Sequence, residues 1–169
     1  MTSLELFSAS GWLACLEVAF RLVMATVLGG MLGWDREEKD RPAGLRTYMM
    51  VALASAVFTV LTFQIYDTIS TNESNVNADP IRIIEAVTAG VAFLAAGTII
   101  QGRDSVRGLT TGAGMWMAGA LGVAAGAGHY LLAIFASLLA FAILRFVKQL
   151  QGRTSKSPTL IDEADGDSG

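Results

Sequence analysis

Residues 11–34 read GWLACLEVAFRLVMATVLGGMLGW, and residues 35–47, which follow directly, read DREEKDRPAGLRT. The first stretch is apolar almost throughout, and its length matches the ~20 residues with which an α-helix crosses the hydrocarbon core of a bilayer. The second stretch is densely charged and therefore belongs in water or among lipid headgroups. An apolar run that ends abruptly in charge predicts a membrane-spanning helix.

Four further apolar stretches of similar length follow along the chain. They are Leu45 to Tyr66, Ile81 to Ile100, Leu109 to Ala127 and Tyr130 to Val147. None of them alternates with period two, which argues against a β-barrel and leaves helices as the spanning structure. We therefore predict an all-α, polytopic membrane protein with five transmembrane helices. Residues 11–147 would form the transmembrane domain, residues 1–10 a short outer N-terminus, and residues 148–169 a disordered acidic cytoplasmic tail.

The composition supports this prediction and argues against several other classes of protein. The 169-residue chain is 53% hydrophobic and only 16% charged, whereas a soluble domain needs a polar shell. A formal net charge of −3 without a continuous basic face argues against nucleic-acid binding. The single cysteine, Cys15, cannot form an internal disulfide, and His129 has no second metal ligand nearby in the sequence. Because no catalytic triad, phosphate-binding loop or metalloprotease motif is present, we expect neither an enzyme nor a cofactor.

The basic residues predict the orientation of the helices. Lys and Arg cluster after the first, third and fifth apolar stretches. The N-terminus, residues 67–80 and the turn around His129 contain neither residue type. Because cytoplasmic loops carry the excess of Lys and Arg, we expect the N-terminus outside the cell and the C-terminus inside.

Small residues recur at helical spacing in the first, third and fourth stretches. The pairs are Gly29 with Gly33, Ala92 with Ala96, Gly108 with Gly112 and Gly122 with Gly126, and Gly97 adds a further small residue. Such pairs let helix backbones approach closely in lipid, so we expect tight packing within the protomer or between the protomers of a homo-oligomer. The alternative is that the third and fourth helices bend or break and expose backbone carbonyls to an ion.

A few charged residues lie inside the predicted spans. Glu17 and Arg21 are four residues apart, so they share a helix face and can neutralise each other. Glu85 lies three residues after Arg82, which offers it a similar pair. We expect these pairs to fix helices against their neighbours. An ion or proton path is the alternative interpretation.

The densest charged segment follows the first helix. Its charged residues either satisfy one another on a surface helix or form a cytoplasmic site with the carboxylates Asp35, Glu37 and Glu38 beside Arg36 and Arg41. In the second case Mg²⁺ is the cation to expect, because it prefers oxygen ligands, keeps most of its waters and can be held weakly by one or two carboxylates. The spacing of the residues does not decide between these interpretations.

Two short segments at the start of the second and fourth stretches resemble each other. Residues 43–47 read AGLRT, and residues 107–111 read RGLTT. One interpretation is a structural repeat, in which helices 3 and 4 repeat helices 1 and 2 and helix 5 is unpaired. We expect the arginines of these segments to pair with Asp35 or Glu37. The candidate cytoplasmic site therefore also includes Arg46, Thr47, Arg107, Thr110 and Thr111.

Three segments together resemble the MgtC/SapB family of bacterial membrane proteins. They are Asp35-Arg36-Glu37 through Arg41-Pro42-Ala43-Gly44-Leu45-Arg46-Thr47, Phe93-Leu94-Ala95-Ala96-Gly97-Thr98-Ile99, and Val106-Arg107-Gly108-Leu109-Thr110-Thr111 followed by Trp116. The resemblance runs from about Arg21 to Val147. It implies a multi-helix protein of the bacterial inner membrane that acts in magnesium homeostasis and supports growth when magnesium is scarce. Some members are linked to virulence and to restraint of the F-type ATP synthase.

The resemblance leaves the mechanism open. The protein would either transport magnesium or act as a non-conducting regulator that binds another membrane complex such as the F-type ATP synthase, and proton conduction is a third option. Glu17 and Glu85 each have an arginine within one turn, whereas a cation path needs uncancelled acids, which favours the regulator. Ala92 and Ala95 stand where the family usually has glycine, and Tyr48 stands where histidine often follows the Arg-Thr pair.

Overall fold

A computed structural model describes residues 9–37, 43–72, 79, 81–102 and 105–154. The helices are α1 (Ala9–Glu37), α2 (Leu45–Asn72), α3 (Arg82–Ala96), α4 (Leu109–Gly126) and α5 (Tyr130–Thr154). Two short strands, β1 (Ile100–Gln101) and β2 (Val106–Arg107), pair antiparallel between α3 and α4. The prediction of an all-α protein with five helices is confirmed.

The helices differ in length from the apolar stretches that predict them. α1, α2 and α5 continue past the predicted ends at Trp34, Tyr66 and Val147, because the end of an apolar run marks a change in polarity and does not by itself stop a helix. By contrast, α3 ends at Ala96, four residues before Ile100. The chain turns there because the Thr98 hydroxyl donates a hydrogen bond to the Ala95 carbonyl at 2.7 Å, and the apolar residues that follow enter β1.

Asp79 holds the backbone that leads into α3. The backbone N–H of Ile81 donates to the Asp79 carboxylate at 2.9 Å, and that of Arg82 donates to the Asp79 carbonyl at 3.2 Å. An aspartate before the first turn satisfies amide groups that have no partner inside the helix. The apolar stretch predicted to begin at Ile81 thus becomes helical at Arg82, one residue later.

Among the described residues, two helices are long and apolar enough by themselves to cross a membrane. These segments are Gly11–Trp34, with 24 residues, and Leu45–Ile69, with 25 residues, and Tyr130–Phe146 is a shorter apolar helix segment. α3 and α4 contain 15 and 18 residues, equivalent to about 22 and 27 Å of helix. Both are therefore shorter than α1 and α2.

α4 occupies the centre of the bundle, where it contacts each of the other four helices. The buried residues are mostly small, and Tyr48, Leu32 and Leu121 are the largest buried apolar side chains in the described part of the chain. Small side chains allow close approach of the backbones. A methyl group added at Gly126 would lie 2.8 Å from the Ala56 carbonyl oxygen of α2, and one at Gly119 would lie 2.9 Å from the Val91 side chain of α3.

The predicted small-residue pairs divide into two groups. Gly29 and Gly33 of α1 meet α2, Gly122 and Gly126 of α4 also meet α2, and Gly108 and Gly112 meet the end of α3 and the turn that follows. The second group consists of Ala92, Ala96 and Gly97. Ala92 and Ala96 are exposed, and a methyl group at Gly97 would approach only atoms of its own turn. The expected packing role therefore applies inside the protomer to the first group alone.

Candidate functional site

The start of α2 and the start of α4 meet around one buried tyrosine. Tyr48 has no exposed surface, and its hydroxyl donates a hydrogen bond to the Thr111 carbonyl oxygen at 2.9 Å. Gly33 of α1 and Gly114 of α4 line the two sides of this tyrosine. We call the four residues Gly33, Tyr48, Thr111 and Gly114 the Tyr48 junction. The junction places the two similar sequence segments, residues 43–47 and 107–111, beside each other.

The fit around Tyr48 leaves no room for larger residues. A methyl group added at Gly33 would lie 3.0 Å from the Cβ of Tyr48 and 2.8 Å from the Cα of Leu45. One added at Gly114 would collide with the Tyr48 hydroxyl. Since closely packed interiors tolerate added volume poorly, the glycines are required for the tyrosine to join α1, α2 and α4 at this end of the bundle.

Thr111 contributes a buried hydroxyl that has no hydrogen-bond partner among the described residues. The other buried hydroxyls of the described residues are hydrogen-bonded. The hydroxyls of Ser55, Thr59, Thr98 and Ser137 each donate to a carbonyl three or four residues earlier, at 2.7 to 2.9 Å. Because an unpaired buried polar group costs free energy, the Thr111 hydroxyl stands out as a group that packing alone does not explain.

Gly108 attaches the start of α4 to the end of α3. Its φ of 89° lies in the left-handed region, and a side chain there would collide with the Thr98 carbonyl oxygen. A methyl group at Gly112 would lie 3.1 Å from the Ala95 carbonyl oxygen. Glycine is therefore needed at residue 108 for both its backbone conformation and the close approach of the chain. These two glycines therefore allow the first turn of α4 to pack against the end of α3.

The remaining residues of the predicted cytoplasmic site lie around this junction or outside the described residues. Arg46, Arg107 and Thr110 are exposed, Thr47 is half-buried and Thr111 is buried. The backbone of Asp35, Arg36 and Glu37 forms the last turn of α1, but their side chains and all of Arg41 lie outside the described residues. The pairing of the two arginines with Asp35 or Glu37 therefore stays a prediction, as does weak binding of Mg²⁺ there.

A second polar site joins α1 to the turn between α4 and α5. The guanidinium of Arg21 forms an ion pair with the Glu17 carboxylate, which confirms the predicted pair. The same guanidinium donates from Nη1 to the Gly126 carbonyl oxygen at 2.9 Å and interacts with the Tyr130 side chain. We call Glu17, Arg21, Gly126 and Tyr130 the Arg21 cluster.

The end of α4 explains why the Gly126 carbonyl is available to Arg21. Gly128 has a φ of 80°, its N–H donates to the Ala125 carbonyl at 3.0 Å, and the N–H of His129 donates to the Ala124 carbonyl at 2.8 Å. This is the hydrogen-bond pattern of a Schellman cap, which satisfies two of the last carbonyls of the helix. A cation beside the remaining carbonyls is also favourable because the helix dipole is negative at this end.

The Arg21 cluster is less buried than the Tyr48 junction. The Glu17 side chain is 57% exposed, whereas the Arg21 Nε atom is buried and has no hydrogen-bond partner among the described residues. The rings of Phe20 and Tyr130 meet edge to face with their centroids 5.2 Å apart. The sequence indicated the Glu17–Arg21 pair but gave no sign of Tyr130. Gly128, placed just after a helix, was the available signal for the cap.

The other predicted charges do not join either site. Arg82 and Glu85 are both exposed, and no ion pair joins them, contrary to the expectation from their spacing. The spacing permits contact, but two exposed side chains gain little from it. His129 is exposed in the α4–α5 turn, as expected. Within the described residues, no three His, Cys, Asp or Glu side chains lie close enough together to hold a metal ion.

Comparison with known proteins identifies relatives of the whole bundle. Residues 22–153 match the model of the MgtC family. The chain is 34% identical over 138 residues to YhiD of Escherichia coli K12, whose name describes it as a candidate magnesium transporter, and this covers 81% of the chain and 63% of that protein. It is 33% identical over 139 residues to the protein MgtC of Brucella abortus, which covers 82% of the chain and 55% of that protein.

A third relative extends further along the chain. An uncharacterized protein of Haemophilus influenzae is 30% identical over 154 residues, which covers 86% of the chain and 65% of that protein. The chain thus spans between about half and two thirds of the length of these three relatives. No solved structure matches the chain.

Proposed function

Because the chain belongs to the MgtC family, we propose that it is a membrane protein of magnesium homeostasis that supports growth when magnesium is scarce. The observation that carries this proposal is the extent of the family match. It covers residues 22–153 and therefore includes the whole Tyr48 junction. The name of the YhiD relative, which refers to magnesium transport, supports the same role.

Growth in limiting magnesium tests this role. The chain would be produced in a bacterium that lacks its own family member and grows poorly at low magnesium. We expect the wild-type chain to restore growth at low magnesium and to have no effect in replete medium. Equal growth with and without the chain, at a confirmed level of membrane-inserted protein, would reject the proposal.

All five helices would cross the inner membrane, with the N-terminus outside and the C-terminus in the cytoplasm. The exposed side chains support this arrangement, because every helix presents large apolar residues on its outer surface. Examples are Leu16, Phe58, Phe93, Trp116 and Phe135. So many exposed apolar side chains are stable in lipid but not in water.

Cysteine labelling tests the orientation. In a Cys15→Ser background, we expect a membrane-impermeant maleimide to label Asp79→Cys in intact cells and to label Gln101→Cys only after the cells are opened. The first site lies before α3 and the second in the hairpin after it. Labelling of Gln101→Cys in intact cells would contradict the orientation.

The Tyr48 junction and the charged residues around it would form the functional site of the protein. Arg46 and Arg107 are exposed beside the junction, and Asp35 and Glu37 belong to the last turn of α1. We expect Glu37→Lys to abolish activity or destabilise the bundle, and a charge reversal at Arg46 or Arg107 to restore part of the loss. Failure of both reversals to restore growth would reject pairing between these groups.

A second candidate function is regulation without conduction. The observation that favours it is the pairing of several polar groups within the spans: Glu17 is paired with Arg21, and Ser55 and Thr59 donate to their own helix. Glu85 forms no ion pair with Arg82 and is therefore the acid to test. A cation path needs oxygen ligands that are not already paired. We therefore expect liposomes with purified protein to take up magnesium no faster than empty liposomes. Uptake that falls in Glu17→Gln or Glu85→Gln would instead favour transport.

A further inference from the structure

One face of α3 is exposed in the part of the protomer that the structure describes. α3 packs on the bundle through Val87, Val91 and Ala95, which recur every four residues and are buried. The opposite side of the helix consists of Arg82, Glu85, Ala86, Ala89, Ala92, Phe93 and Ala96, all of them exposed. We call these seven residues the outward α3 face. Phe93 is 80% exposed, the largest value among the large apolar side chains of the described residues.

Apart from Phe93, the apolar side chains of the outward α3 face are all small. Between Glu85 and Gly97 it presents alanine at four positions, 86, 89, 92 and 96. The glycine pairs of α1 and α4 are already occupied by contacts inside the protomer, whereas Ala92 and Ala96 are exposed. Helices associate in lipid through such small residues because their backbones can then approach closely.

Two opposite charges lie on the same face, and their arrangement is complementary to a second copy of the same face. Arg82 and Glu85 are one turn apart at the start of α3, and they form no ion pair with each other in the protomer. When two copies meet about a two-fold axis, residue i of one copy contacts residue j of the other, and residue j contacts residue i. Two parallel α3 helices would thus bring Arg82 of each copy to Glu85 of the other, about 4.5 Å along the axis.

We propose that a second copy of this chain docks on the outward α3 face, so that two parallel α3 helices form the centre of a homodimer. The axis lies along the membrane normal, as required for two copies with the same orientation. Alanines form the close contact, Phe93 packs at its edge, and two reciprocal Arg82–Glu85 pairs close its outer end. This inference rests on the membrane arrangement proposed above, but not on the role in magnesium homeostasis.

Disulfide cross-linking tests the contact directly. In a Cys15→Ser background, Ala92→Cys and Ala96→Cys each place a thiol on the outward α3 face, and Ala113→Cys places one on the exposed side of α4. Ala113 is a matched control because its neighbour Gly112 packs beside Ala95, at the depth of Ala96. We expect mild oxidation in membranes to give a dimer of twice the chain mass from the α3 variants and little from Ala113→Cys.

Three outcomes would overturn the proposal. They are an absence of cross-linking in the α3 variants, cross-linking of Ala113→Cys to the same extent, and a cross-linked band that contains a different protein. The last result would identify the outward α3 face as a site for another partner. Each readout is independent of growth at low magnesium, so failure of the dimer and failure of the proposed function can be distinguished.

Charge reversal supplies a second measurement that does not depend on the cysteine variants. Arg82→Glu and Glu85→Arg should each weaken self-association roughly tenfold, because each places like charges across the two-fold axis. Mixing the two variants with different affinity tags should restore association between them. A charge pair within one helix could not produce this rescue between chains. Equal association in all combinations, or none in the mixture, would contradict the proposal.

Discussion

The Tyr48 junction and the Arg21 cluster both tie α4 to α1, but they do so by different physical means. At the junction, a neutral tyrosine with no exposed surface is enclosed by glycines and donates to a backbone carbonyl. At the cluster, a half-buried arginine holds a mostly exposed glutamate and the last turn of α4. Close packing of uncharged groups joins the helices at one end of the bundle. At the other end they are joined by the interactions of a charged side chain.

This difference predicts how each end responds to substitution. Close packing is intolerant of added atoms, because an interior near crystal density has no space into which a side chain can move. A partly exposed ion pair has space around it, so a substitution there does not force neighbouring side chains to move. We therefore expect large stability effects at the Tyr48 junction and smaller effects at the Arg21 cluster.

The largest effect is expected where backbone conformation and close packing coincide. Gly108→Ala would place a methyl group against the Thr98 carbonyl oxygen in a backbone conformation that alanine avoids. We expect a loss of about 4 kcal/mol in the free energy of unfolding. Thermal unfolding in detergent measures it. Gly90→Ala is the matched control, because a methyl group there has nothing within 4 Å, and it should be neutral or stabilising.

A smaller loss is expected when the Tyr48 hydroxyl is removed. Tyr48→Phe keeps the ring between the glycines but deletes the hydrogen bond to the Thr111 carbonyl. We expect the free energy of unfolding to fall by about 1 to 2 kcal/mol, because the carbonyl remains buried. Denaturation in a graded series of denaturing detergent would measure this change. An unchanged midpoint would show that the hydroxyl contributes nothing to the junction.

At the other end, replacing the arginine should have a comparable or smaller effect. Arg21→Met removes the ion pair to Glu17 and the hydrogen bond to Gly126 but keeps much of the apolar stem. We expect a loss of about 1 kcal/mol. Glu17→Gln should cost less, because its side chain is largely exposed. If Arg21→Met lowers the free energy of unfolding more than Gly108→Ala does, the interactions of the charged group contribute more than the close packing. That result would contradict the expected order.

The smallest effect on stability should come from the unpaired hydroxyl of the junction. Thr111→Val removes a buried donor that has no partner in the described residues and keeps nearly the same shape. We expect an unfolding midpoint equal to or slightly above that of the wild type. If growth at low magnesium is lost although stability is kept, the hydroxyl acts in function. A clear fall in the midpoint would indicate a partner for Thr111.

The sequence predicted the helices and one charge pair more reliably than the contacts between helices. Apolar length places the five helices, and the four-residue spacing predicts the Glu17–Arg21 pair, because both depend on local geometry. The Tyr48 junction was not predictable. Tyr48 stood out only as a departure from the family pattern, and nothing local indicates that it reaches α4, 63 residues away in the chain.

Two further features were predicted wrongly from the sequence: the end of α3 and the ion pair between Arg82 and Glu85. The apolar residues around Ile100 extend the hydropathy signal of α3, although the Thr98 turn ends that helix at Ala96. The spacing of Arg82 and Glu85 permits an ion pair, but the energy of an exposed pair is too small for spacing alone to decide it. Packing and solvent exposure determine both outcomes, and these properties cannot be derived from a few neighbouring residues.

The most direct test of the account compares its two ends under limiting magnesium. Cells that depend on the chain would carry either Glu37→Lys, next to the Tyr48 junction, or Glu17→Gln, in the Arg21 cluster, at equal amounts in the membrane. If the junction end performs the proposed function, growth at low magnesium is lost with Glu37→Lys and kept with Glu17→Gln. Unimpaired growth with Glu37→Lys, or loss with Glu17→Gln alone, would contradict the account.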